Sequence, residues 1–328
     1  MLDVRRLRML REVALRGSIA GAAESLGFTP AAVSQQIAKL EREAGVPLVE
    51  RGPRSIRPNA AGRALVTHAE AILARLAEAE DEIRAIAGEG SGPFRVASFQ
   101  SASATVVTKA LRRFSAAEPD VAVTLGEADP EVGLARLRAG EADVAIVWEY
   151  DYVPAAPEPE VVRIRLLDDP VHVLLAADHA AADRPSVRLD ELRDDAWITS
   201  TARSSCHPFT ERACNAAGFE PRVSAETNDH HVMTRLVADG VGVALVTELS
   251  LPTVPDDVAV RRIVPISLKR SIFVAFRRAS EANERVAAMV RLLEAAAAEQ
   301  ESALEDWRRR HLPGTDRGRL RIAGADAA

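Results

Sequence analysis

The chain has 328 residues, 47% hydrophobic and 27% charged, an ordinary balance for a soluble globular protein and a length for two or three domains. Its net charge of −6 is unevenly placed: residues 1–66 hold 11 Lys/Arg against 6 Asp/Glu, so +5, and the rest is −11, a basic head on an acidic body in which only the head suits a polyanion. No apolar run is long enough for a membrane span, the start Met1-Leu2-Asp3-Val4-Arg5-Arg6 lacks a secretion signal's apolar core, and Cys206 and Cys214 alone cannot form a disulfide scaffold, so a cytoplasmic location is expected.

Leu2, Leu7, Leu10 and Val13 form an apolar stripe of a first helix, stopped by Gly17. Ser18 caps a second helix whose Ile19, Ala22, Ala23 and Leu26 share one face, and Gly27 turns the chain. Thr29 caps a third helix with Pro30 at its first position and Val33, Ile37 and Leu40 inward; Gly45 ends it. Two short helices around a tight Gly turn read as a helix-turn-helix. Ala31, Ser34, Gln35 and Gln36 then face outward near the start of the third helix, where Gln pairs with adenine edges and Ser serves base or phosphate. Residues 49–58 read as a hairpin with a basic tip, and Arg51, Arg54 and Arg57, beside Ser55, can neutralise phosphates or enter a minor groove.

The run Gly17-Ser18-Ile19, Ala22-Ala23-Glu24-Ser25-Leu26, Thr29-Pro30-Ala31-Ala32-Val33-Ser34-Gln35-Gln36-Ile37, Leu40-Glu41, Gly45-Val46-Pro47-Leu48-Val49-Glu50-Arg51 and Ala61-Gly62 resembles the winged helix-turn-helix of LysR-type transcriptional regulators. It departs at Pro30, where a Gln is frequent, at Val49 for the usual Phe, and at Asn59 for the usual Thr. The resemblance implies double-stranded DNA as partner, contacted through Ser18, Thr29, Pro30, Ala31, Ser34, Gln35, Gln36 and the wing residues.

Leu65, Ala69, Ile72, Leu76, Ala79, Ile83 and Ile86 then alternate spacings of four and three, the heptad seam of a dimerising helix that ends in the hinge Gly88-Glu89-Gly90-Ser91-Gly92-Pro93. Two heads on one coiled coil would read an inverted repeat. The resemblance implies a homodimer or homotetramer.

From Phe94 onward, strands and helices alternate. Strands are expected at 94–99, 121–125, 143–148, 171–176, 196–198, 222–226, 241–246 and 271–277, with helices between them: two α/β subdomains with parallel sheets. Ligands of such sheets bind outside the carboxyl ends of the strands, near helix N-termini that favour negative charge. Gln100, Ser101 and Ser103, then Thr199, Ser200 and Thr201, then Asn228 fall at such points; Asp129, Trp148 and His230 complete the candidate set, for a small polar or anionic effector. Leu137-Arg138-Ala139-Gly140-Glu141-Ala142-Asp143-Val144-Ala145-Ile146 and Asp239-Gly240-Val241-Gly242-Val243-Ala244-Leu245-Val246 resemble the LysR effector domain, which is similar to type 2 periplasmic-binding proteins; Thr247 stands where Pro is common.

The expected organisation is a winged head at 1–58 and a linker helix and hinge at 59–91. An effector domain follows at 92–300, divided into 92–163 plus 267–300 and 164–266, with crossings near 162–166 and 263–268. A partly disordered extension, 301–328, closes the chain. Cys206 and Cys214 read as buried or capping thiols rather than a disulfide switch, and Cys206-His207 with His230-His231 match no compact metal site. No P-loop, HExxH or GxSxG pattern exists, so neither a cofactor nor an enzyme is expected. The alternative is a solute-binding protein or α/β enzyme with an accessory DNA-binding head.

Overall fold

Glycine and its partner caps set the head. The computed structural model describes residues 2–52, 56–86, 92–153, 158–202, 204, 206–255, 257–265 and 268–312. Arg54, Ser55, most of the expected hinge and the 313–328 end lie outside the described residues, as do the side chains of Arg51 and Ile86. Helix α1 (Val4–Arg16) starts at Asp3, whose carboxylate accepts from the Arg5 amide, so Leu2 is left outside the helix and exposed rather than in the stripe. Ser18 caps α2 (Ile19–Leu26) and Thr29 caps α3 (Pro30–Ala44), with Pro30 at its start. Gly17, Gly27 and Gly45 close the three helices at φ of 61°, 69° and 74°, a region glycine enters without strain. Leu7, Leu10, Val13, Ala22, Ala23, Val33, Ile37 and Leu40 form the core, and the wing β1 (Val49–Arg51) and β2 (Ile56–Pro58) pairs antiparallel against it.

The linker helix α4 (Ala60–Ile86) begins at Asn59, whose side chain accepts from the Gly62 amide at 2.9 Å and donates to the Pro47 carbonyl at 2.8 Å. Leu65 and Ala69 pack into the head, so the first part of the heptad pattern serves the head's core; Ile72, Leu76, Ala79 and Ile83 remain exposed.

The second half holds β3 (Phe94–Ser98), a helical stretch formed by α5 (Gln100–Ala102), a wide turn at 103–107 and α6 (Thr108–Ala117), then β4 (Val123–Glu127), α7 (Pro130–Arg138) and β5 (Val144–Tyr150). Next come β6 (Val161–Ala176), β7 (Ser186–Arg188), β8 (Ala196–Thr199), α8 (His207–Ala216), β9 (Arg222–Glu226), α9 (His230–Ala238), β10 (Ala244–Thr247), β11 (Val258–Val264), β12 (Lys269–Arg277) and α10 (Glu284–His311). The sheets are mixed, not parallel throughout. β4, β3 and β5 run parallel, as do β8 and β9, but β12 is antiparallel to β5 and β6, and β10 and β11 are antiparallel to β6.

Strand β6 is the spine. It pairs with β12 as far as Pro170 and with β10 and β11 from Val171 onward, so the partner change falls beyond the expected 162–166 stretch. Proline cannot donate to a ladder, and Pro170 stands where one ladder gives way to the next. Helix α10 runs past residue 300: Trp307 and Leu312 pack on the cluster around Val237 and Val246, and Arg308 Nε and Nη2 reach Glu248 at 2.8 and 2.6 Å.

A Cβ on Gly62 would lie 2.0 Å from the Leu48 carbonyl oxygen. Gly62→Ala is therefore expected to push α4 off the wing and destabilise the head by about 1–3 kcal/mol. Denaturant unfolding followed by circular dichroism would measure this; an unchanged midpoint would contradict the packing.

Candidate functional site

Two surfaces concern function. On the head, Ala31 and Gln35 are exposed on the first turns of α3, and Ser34 and Gln36 are partly covered. The Gln36 carbonyl already accepts from Arg6 Nε at 3.0 Å, which leaves Gln35 as the freer amide. Ser18 and Thr29 use their hydroxyls as caps, at 3.1 Å to the Gly21 amide and 3.2 Å to the Ala32 amide. Arg57 on the wing is exposed. Phe28, beside the α3 N-terminus, is 52% exposed; sequence reasoning passed over it because it follows the turn glycine and fits neither helix.

The second surface is a cleft of about 420 Å³ where the β3, β5, β8 and β10 strand ends meet. The structure brings Gln100, Ser101, Asp129, Trp148, Thr199, Ser200, Asn228 and His230 onto its walls. Ser103 and Thr201 are not among its lining. Ser103 lies in the wide turn after α5, and the Thr201 hydroxyl and amide are bonded to the Asn228 side chain at 2.9 and 3.0 Å.

The dominant group was not foreseen. Arg270 of β12 is buried at 3% exposure, and its Nε and Nη2 hold Asp169 Oδ2 at 3.0 and 2.5 Å. Nη2 also donates to Ser101 Oγ at 2.9 Å, and the Leu249 amide donates to Asp169 Oδ1 at 3.0 Å. The guanidinium lies 4.8 Å from the Phe99 ring, 5.4 Å from Trp148 and 5.9 Å from Tyr150. Burial pushes the Asp169 carboxyl up while Arg270 pulls it back; Arg270, facing a carboxylate, stays cationic. A period-two signal existed: Arg270 is in phase with Ile272 and Val274, and Asp169 with Leu167 and Val171, all buried.

Thr199 Oγ1, Thr247 Oγ1 and His230 Nδ1 line this cleft, are buried, and have no hydrogen-bond partner. Buried polar atoms are nearly always paired, so three orphans in one cavity mark a place for a ligand's polar groups. Burial first, and then Arg270, lower His230 to about 4, which makes it a neutral imidazole near pH 7. Burial raises both thiols, Cys214 to about 12, so they are protonated and unreactive. No cluster of three or more metal-ligating side chains occurs among the described residues.

The head and cleft touch. Arg16 of α1 and Arg136 of α7 stand at the cleft mouth. Two residues on in the same last turn of α7, Arg138 holds Glu70 of α4 at 2.8 Å and Glu158 at 2.6 Å; Arg163 continues to Glu158 and to Glu149 of β5 at 3.2 and 2.7 Å.

Profiles described as "Bacterial regulatory helix-turn-helix protein, lysR family" and "LysR substrate binding domain" match residues 4–63 and 87–298. The chain belongs to the LysR family of transcriptional regulators. This LysR-type protein is 34% identical over 312 residues to the small neutral protease regulatory protein of Streptomyces coelicolor A3(2), covering 93% of this chain and 91% of the relative. It is 30% identical over 249 residues to the HTH-type transcriptional regulator ShiR of Corynebacterium glutamicum, covering 75% and 83%. Among solved structures, a mutant of Corynebacterium glutamicum OxyR shares the fold at a TM-score of 0.57 and 23% identity, over 94% and 95% of the two chains. The chain is thus a DNA-binding transcriptional regulator with an effector-binding domain, not an enzyme, and no described helix is long and apolar enough to cross a membrane.

Removing only Arg270 leaves Asp169 buried and unpaired. Arg270→Met is therefore expected to cost about 3–5 kcal/mol, and Arg270→Met with Asp169→Leu to recover most of it. Equal losses in single and double variants would contradict the pair. A second expectation concerns acid. The unfolded chain protonates His230 near 6.5 while the folded protein holds it neutral to about 4, so stability from this group is full above 6.5 and falls as pH drops towards 4. His230→Asn should flatten that part of the stability-against-pH curve; an unchanged slope would sink the assignment.

Proposed function

We propose that this LysR-type regulator reads an inverted-repeat operator with two α3 helices and answers to a small polar or anionic effector in the cleft, working in the cytoplasm where the DNA is. The observation that carries the DNA half is the exposed start of α3, where Ala31 and Gln35 face outward, together with the exposed Arg57 of the wing. Gln35 reads a base edge, and Arg57, with Arg51, Arg54 and Ser55, neutralises phosphate or enters the minor groove. The exposed apolar positions Ile72, Leu76, Ala79 and Ile83 of α4 form the face for a second copy, in a dimer or tetramer. The orphan Thr199 and Thr247 hydroxyls and the His230 imidazole nitrogen favour an effector carrying several polar groups.

The test is binding to the DNA upstream of the protein's own gene across a salt series. Arg57→Ala should reduce the salt slope by about one while weakening all sequences alike. Gln35→Ala should cost about 1–3 kcal/mol on the preferred sequence and little on others. If Gln35→Ala weakens every sequence equally, α3 is not the reading helix.

A further inference from the structure

A second, smaller cavity of about 180 Å³ lies between the head and the effector domain. Four guanidinium groups face it, from Arg8, Arg11 and Arg16 on α1 and from Arg136 on α7, against the two carboxylates of Glu12 and Glu141. Those carboxylates are fully engaged. Glu141 receives Arg11 Nη2 at 2.6 Å and Arg8 Nη2 at 3.1 Å. Glu12 receives Arg11 Nη2 at 2.7 Å, the Ser25 hydroxyl at 2.9 Å and Arg16 Nε at 3.6 Å. Positive charge is left over. The side chain of Arg136 makes no hydrogen bond or ion pair among the described residues. Arg11 is buried to 1% exposure, and its Nε and Nη1 have no partner. Glu141 and Glu12 keep it cationic despite burial. A buried guanidinium with two idle donors is costly unless something accepts from it.

We propose that this cavity binds a small dianionic oxyanion of phosphate or sulfate type, held by the idle Arg11 donors and by Arg136. Oxyanion geometry matches a guanidinium edge, and 180 Å³ leaves room for ordered water beside the ion. Arg11 belongs to the DNA-binding head and Arg136 to a helix that begins at the rim of the effector cleft. The bound ion therefore fastens head to effector domain, and its occupancy sets how firmly the head is docked.

The experiment titrates the full chain with inorganic phosphate at constant ionic strength, exchanging chloride for phosphate, read by calorimetry and by thermal unfolding. One saturable site per chain is expected, with a melting temperature that climbs with phosphate as mass action requires. Arg8→Gln, which touches this cavity and not the cleft, should weaken phosphate about threefold, and Glu141→Gln, which removes an opposing charge but keeps an acceptor, should tighten it about fivefold. Thr199→Val, in the large cleft, tells the two cavities apart. If it weakens phosphate while Arg8→Gln does not, phosphate is a ligand of the cleft and the proposal falls. If no saturable heat or stabilisation appears beyond chloride, water alone fills the cavity and the proposal falls as well.

Discussion

The buried pair of Arg270 and Asp169 is the constraint around which the effector domain is arranged. The two residues face each other across β12 and β6, one step before β6 passes from one sheet to the other. Taking both charges out of water is expensive, so every remaining donor and acceptor must be satisfied at once. Ser101 bonds the Arg270 Nη2 and the Leu249 amide bonds Asp169 Oδ1, tying the first helical turn after β3 and the segment after β10 to the same point. The aromatic rings of Phe99, Trp148 and Tyr150 lie within about 6 Å of the cation, in cation–π range. A cleft floor so pinned is pre-organised, and the freedom left for a ligand lies at the walls, where Thr199, Thr247 and His230 keep unpaired polar atoms.

From that floor, charge pairs lead outward to the head. Helix α7 starts at the cleft rim and ends at Arg138, which grips the linker helix through Glu70; Glu158, Arg163 and Glu149 return the chain of pairs to β5 beside Trp148. On the neighbouring face, Arg11 and Arg8 of the head close on Glu141. Any shift of α7 would therefore reach both the linker and the head through these ion pairs.

Much of the head was legible, because its signals are local. Asp3 apart, each cap and stop, from Ser18 and Thr29 to Gly17, Gly27 and Gly45, acts within one turn of its own position. The heptad seam fits a dimerising helix or an amphipathic helix packed on its own domain: Leu65 and Ala69 satisfy the spacing but pack into the head, and period alone cannot tell a core from a dimer face. Gln36 looked free until its tertiary partner Arg6 was visible. In the effector domain the first half of β6 was missed because Arg163, Arg165, Asp168, Asp169 and Pro170 read as a linker. The same charges are what close its ion pairs, and only register across β12 reveals that Asp169 meets Arg270. Ser103 and Thr201 failed as cleft residues for a related reason: a polar residue after a strand end faces the cavity only if the next turn is tight, and here the turns carry them aside.

The central claim is that a paired, sequence-reading head defines this molecule. The measurement that tests it most directly is selection of binding sites from random double-stranded DNA by the full chain, followed by sequencing of the retained pool. The account predicts an imperfect inverted repeat whose half-site centres lie about one helical turn apart, or a multiple of it. A retained pool without any shared motif, or with an unpaired half-site alone, would contradict it.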